Sequence, residues 1–225
     1  MTSEVDVEDE VRVDEGELKW MDNLRTIYDR KTLFLIAMQY INEGGTAMIE
    51  LACYILFLNQ DVEPAEAMYL MMIIMAPEVF SMFWGMLSDF VPIYGKRGHV
   101  LLASGLQVVG AIIVVSLPFD TPPYDFAICA MIMICGKAWL TPVIEGLMVN
   151  QMKRDPERGA EDLATFGLFM QSTGSIFYCI CGGAIYTVNN GVENESVHPR
   201  YFFTLVLVVG LLLFLGGCIY PENSE

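Results

Sequence analysis

The sequence predicts an all-helical membrane protein: six transmembrane helices preceded by an amphipathic surface helix. Three observations carry this. The 225 residues are 54% hydrophobic with a mean hydropathy of +0.46, more apolar than soluble domains run. The apolar residues fall into runs near the roughly 20 residues that a helix needs to cross hydrocarbon. Lys and Arg gather in alternate loops, as they do in multi-pass chains.

Residues 1–17, MTSEVDVEDEVRVDEGE, hold eight acids and one Arg. So little apolar surface does not order itself, and the segment reads as a solvated acidic tail. It lacks the basic start and apolar core of a secretory signal, and it is too acidic for a transit peptide. The net charge of −16 also argues against a nucleic-acid partner, which needs a basic face. In residues 18–31, Trp20, Leu24, Ile27 and Tyr28 share one helical face and charges occupy the rest. That pattern predicts an amphipathic interfacial helix lying on the lipid surface.

The transmembrane domain, 32–220, then divides into spans of about 33–58, 65–87, 98–117, 124–150, 162–188 and 200–220. Each break carries turn formers or charges: NQDVEPAE, SDFVPIYGKRG, PFDTPPYD, QMKRDPERGAED and NNGVENESVHPR. Residues 221–225 are a short tail. Ten of the basic residues outside the spans lie before span one or in the loops after spans two and four, and only Arg200 lies on the other side. Both termini are therefore expected on the Lys/Arg-rich side. Asn194 begins an Asn-Glu-Ser sequon on the opposite side, a glycosylation acceptor if that side is lumenal. The six cysteines all fall in apolar runs without metal-ligand spacing, and read as small packing residues.

The spans are not free of charge. Glu43 and Glu50 stand seven apart in span one, on one helical face; Glu78 is in span two; Lys137 and Glu145 are in span four. An ionised group at the bilayer centre costs ~3 kcal/mol or more, so these groups are expected to face the bundle or water. They read equally as a substrate or proton path and as interhelical pairs such as Lys137 with Glu43 or Glu50. The glycines of NEGGTAM and STGSIFYCICGGAIY suit close helix packing, and those in span one also suit a kink. His99 and His198 lie at span ends on opposite sides, with no Ser-His-Asp set or ion-binding motif, so no enzyme, cofactor or metal is expected.

The stretch PEVFSMFWGMLSDFVPIYGKRGHVLL resembles the signature of the folate–biopterin transporter family, a branch of the major facilitator superfamily. Pro77, Gly85, Ser88, Asp89, Pro92, Gly95 and Arg97 fall in register with it, and Lys96 stands beside them. QYINEGGTAMIELACYILFLNQDVEPAEAMYL is similar to the family's first helix and turn, and VIEGLMVNQMKR and MQSTGSIFYCICGG to later ones. The resemblance implies half of a major-facilitator fold, with 85–97 as its gating loop. It also exposes departures. Glu78 stands where the family has Trp and Ser81 where it has Lys, while Thr141, Glu145 and Asn150 stand where it has acids. In the family the loop aspartate closes against the other half, which leaves Asp89 without that partner here.

Loop geometry is thus kept while most intramembrane charges change. The reading this favours is a non-catalytic accessory subunit, bound to lipid and to other membrane-protein subunits. An organellar respiratory complex, as in the mitochondrial inner membrane, is a natural setting. The alternative is a homodimeric, proton-coupled half-transporter of a pterin- or folate-like anion. Asp89, Lys96 and Arg97 would then gate it, and Glu43, Glu50, Glu145 and Lys137 would line its path.

Overall fold

A computed structural model describes residues 20, 24–91, 93, 95–118, 120–189 and 199–220. The acidic tail, Pro92, the sequon at Asn194 and the tail 221–225 lie outside the described residues. The described chain is helical throughout, without a strand, and is an all-α membrane protein. Its helical elements begin with α1, whose described residues are Trp20 and 24–27. There follow α2 (Arg30–Gly44), α3 (Thr46–Asn59), α4 (Pro64–Val79), α5 (Ser81–Phe90), α6 (Gly95–Ser116), α7 (Pro123–Met152) and α8 (Gly159–Asn189). A 3-10 turn, Pro199–Phe202, leads into α9 (Phe203–Ile219).

Five segments are long and apolar enough to cross hydrocarbon: Arg30–Asn59, Pro64–Phe90, Gly95–Ser116, Pro123–Met152 and Gly159–Ile185. The shorter apolar α9 has 17 residues, at the lower end of spanning length. Two of the five are interrupted. Span one breaks at Gly45, where the amide donates back to the Asn42 carbonyl at 3.2 Å. Span two breaks at Phe80, three residues after Pro77, which has no N–H to give the helix ladder. The Trp84 indole N–H donates to the Pro77 carbonyl at 3.0 Å, satisfying an oxygen at that break.

Helices α6 and α7 form the centre. α6 also packs on α9, α2 packs on α7, α8 and α9, and the α4–α5 pair leans on α7. Glycines set a close crossing of α2 and α8. A Cβ on Gly44 would collide with the Gln171 carbonyl oxygen, and one on Gly174 with the Ile41 carbonyl oxygen. The α2 and α8 backbones therefore touch, and Ser175 Oγ donates to the Gly44 carbonyl across the contact at 3.0 Å.

Two expectations need correction here. The amphipathic helix turns its apolar side to protein rather than to lipid: Leu24 and Tyr28 are buried in the core, and Trp20 and Ile27 pack against it. The helix stops at Tyr28, and Asp29 caps α2 by accepting from the Thr32 amide at 3.1 Å. The cysteines also differ among themselves: Cys53 is fully buried, whereas Cys179 and Cys218 lie exposed.

Candidate functional site

Both interruptions point at one lysine. Lys137, near the middle of the 30-residue α7, has a side chain only 2% exposed. Its ammonium lies 3.2 Å from Glu43 Oε2 on α2 and 2.7 Å from Glu78 Oε1 on α4. It also donates to Thr46 Oγ1, the first residue of α3, at 2.6 Å. The ammonium thus donates to Thr46 and Glu78 and forms an ion pair with Glu43, and each of the three stands beside a helix break. The carboxylates are 24% and 33% exposed, so the cluster is closed at the lysine and open at the acids.

A second layer holds Glu43 in place. Thr141 Oγ1 donates to Glu43 Oε1 at 2.6 Å, and Gln39 Nε2 donates to the same oxygen at 3.0 Å. Gln39 and Thr141 are themselves 2.9 Å apart. Below them the amides of Asn42 and Gln107 pair reciprocally, at 3.2 and 3.1 Å, and tie α2 to α6. The sequence reading missed Gln39, Asn42, Thr46 and Gln107. A signal was present: Gln39, Glu43 and Thr46 recur at helical spacing on one face of an otherwise apolar run.

The other charges fall elsewhere. Lys137 takes Glu78 and Glu43 rather than Glu50, because the break at Gly45 separates Glu50 from the face that Glu43 presents. Glu50 is exposed, in a groove between α3 and α4. One lysine therefore serves two acids, and two acids remain without a basic partner among the described residues, Glu50 and Glu145. Glu145 is exposed two turns along α7 from Lys137, on the stripe that Thr141 shares.

The loop motif forms a separate site at the rim. Asp89, 67% exposed, accepts from Lys96 Nζ at 2.5 Å, so it finds a partner within its own loop. Gly95 has φ 61°, the left-handed region that favours glycine. Ser88 Oγ donates to the Gly85 carbonyl at 2.8 Å, and Arg97 donates to the Cys218 carbonyl, also at 2.8 Å, which fastens the loop to the end of α9. Gly85 itself is not tightly enclosed: a Cβ there would meet Pro142 Cβ at 3.6 Å, an ordinary contact.

Among the described residues no group of His, Cys, Asp or Glu could hold a metal ion. The arrangement is suited instead to exchanging a proton or an anionic group against a fixed ammonium. No solved structure matches the chain. Two curated relatives from Arabidopsis thaliana do. Probable folate-biopterin transporter 4 is 22% identical over 92% of this chain and 42% of its own length. Probable folate-biopterin transporter 2 is 26% identical over 93% of this chain and 43% of its own. The chain thus spans less than half the length of these relatives. The model of the BT1 family matches residues 44–218, which include Thr46, Glu78 and Lys137 as well as the loop motif. The chain belongs to the BT1 family.

Proposed function

We propose that the chain is one bundle of a proton-coupled carrier for pterin- or folate-like anions. Lys137 is the counter-charge for the anion, and Glu43 and Glu78 are the groups that exchange protons. The observation that carries this is the meeting of two interrupted spans on a buried lysine. Secondary carriers hold solutes and coupling ions where helices are broken near mid-membrane. The departures noted in the sequence are thus relocations rather than losses. A cation is missing at Ser81, yet Lys137 supplies one from α7, and Glu78 supplies an acid from the position where the family has Trp. The solute class follows from the names of the relatives.

Coupling follows from electrostatics. With both carboxylates ionised, Lys137 and its two acids together carry one net negative charge and repel an anion. Protonating Glu78 brings the cluster to neutrality, with the ammonium still paired to Glu43. The repulsion is then relieved, and an anionic solute is favoured beside Lys137. Losing the proton reverses the preference. In this reading a second bundle, such as a second copy of the chain, closes the open side of the site.

The test is uptake by the full chain in lipid vesicles. Under an imposed proton gradient, pterin is expected to accumulate uphill. Glu78→Gln and Glu43→Gln are expected to abolish accumulation while the protein remains folded in the membrane. Folded protein that moves no pterin under the gradient rejects the reading.

One observation favours a second reading, a non-transporting accessory subunit of a larger membrane assembly. The ammonium of Lys137 is held by the chain's own side chains, two hydrogen bonds and a second ion pair, as a structural pin requires. The same Glu→Gln changes would then lower abundance and the yield of co-purifying subunits, and the unaltered protein would move no pterin.

A further inference from the structure

We propose that the groove between α3 and α4 binds a monovalent amphipathic organic cation, with Glu50 as its counter-charge. Glu50 lies beside Tyr54 and faces Met68, Met71, Met72 and Met75 across a groove of about 450 Å³. That is the size of small-molecule sites, roughly 300–1,000 Å³. The lining is otherwise apolar, and a carboxylate in such a setting is unfavourable unless an opposite charge reaches it.

Among the described residues no such charge reaches it. Lys137 is the one Lys or Arg in the interior of a span, the others standing at span ends or outside the spans, and its ammonium is engaged by Thr46, Glu43 and Glu78. From the interior of its spans a second copy would bring only the same buried lysine. A lipid amine does not reach the site either: Glu50 sits roughly 14 Å from the Asn59 end of its helix at about 1.5 Å per residue, below the head groups. An acyl chain would fill the groove but leave the carboxylate uncompensated. The occupant that satisfies both parts carries a diffuse positive charge on an apolar body. Methionine thioethers are flexible and polarizable enough to mould to varied apolar shapes, and Tyr54 adds an aromatic ring to the lining, a group that attracts cations. Glu50 takes no part in the Lys137 cluster, so this site stands apart from the proposed carrier mechanism.

The full chain in nanodiscs of zwitterionic lipid, titrated with tetraphenylphosphonium, tests the proposal. Saturable binding is expected. Glu50→Gln is expected to weaken it about tenfold or more, the loss of a desolvated charge pair, whereas Glu50→Asp keeps most of it. Glu43→Gln is expected to leave it unchanged. On the unaltered protein, dicyclohexylcarbodiimide is expected to modify Glu50, located by peptide mass spectrometry, and the cation to slow that modification. This second readout decides the matter if Glu50→Gln does not fold. Non-saturable uptake, equal binding by folded Glu50→Gln, or modification of Glu50 that the cation does not slow would each overturn the proposal.

Discussion

Lys137 and Lys96 each hold a carboxylate, one inside the bundle and one at its rim. The bonds are similar in length, 2.7 Å to Glu78 and 2.5 Å to Asp89. Their surroundings are not. The Lys137 side chain is 2% exposed against 19% for Lys96, and Glu78 33% against 67% for Asp89. In water an ion pair gains about 0–1 kcal/mol, because solvent competes for both charges. Inside the bundle the same pair barely repays its desolvation, yet removing one partner strands the other at about 3–5 kcal/mol. The inner pair therefore carries a large penalty for imbalance. The outer one is a weak latch within a loop whose shape rests on its backbone.

The comparison breaks if the two sites respond alike to substitution. Lys137→Met leaves two carboxylates facing each other in the bundle and is expected to cost about 3–5 kcal/mol, read as a fall in the thermal midpoint in detergent. Adding Glu43→Gln and Glu78→Gln to it is expected to restore most of that loss. A triple variant as unstable as the single one would mean that the cluster is held by packing and not by charge. Next in size is Gly44→Ala, where the new Cβ meets the α8 backbone. Separating the two helices is expected to cost about 1–3 kcal/mol and to loosen Ser175 from the Gly44 carbonyl, visible as faster amide exchange in α8. Gly95→Ala at φ 61° is expected to cost about 1–2 kcal/mol through backbone strain alone. The smallest effect belongs to Asp89→Asn, under about 1 kcal/mol and shrinking further with added salt. If Asp89→Asn outweighs Gly95→Ala, the rim pair is more than a latch.

Exposure separates the helices in a second way. The Pro64–Phe90 and Gly159–Ile185 windows are each 17% buried, against 56% for Pro123–Met152. All three read as similar apolar runs. Composition does not distinguish a helix surrounded by protein from one facing lipid or another bundle, because both environments accept Leu, Ile, Met and Phe. The polar residues do distinguish them. Lys137, Thr141 and Gln107 lie on the central helices, while α4–α5 and α8 present Met72, Phe83, Leu168 and Ile180 outward.

By itself the sequence determined the class of fold, since that follows from local chemistry. Hydrocarbon demands long apolar helices, turn formers end them, and a left-handed turn favours a glycine at position 95. Even the break in span one was legible as paired glycines. Tertiary structure alone decided which charges meet. Lys137 lies 59 positions from Glu78, and their contact depends on how α4 and α7 are rotated and set in depth. It also sent Leu24 and Tyr28 into the core instead of into lipid, and left Glu50 outside the cluster that Glu43 joins. Periodicity gives the face of one helix, but the partner across an interface is set by packing against helices distant in the chain. Glycines at 44 and 174 allow that packing, and a single buried ammonium then selects its carboxylates by reach.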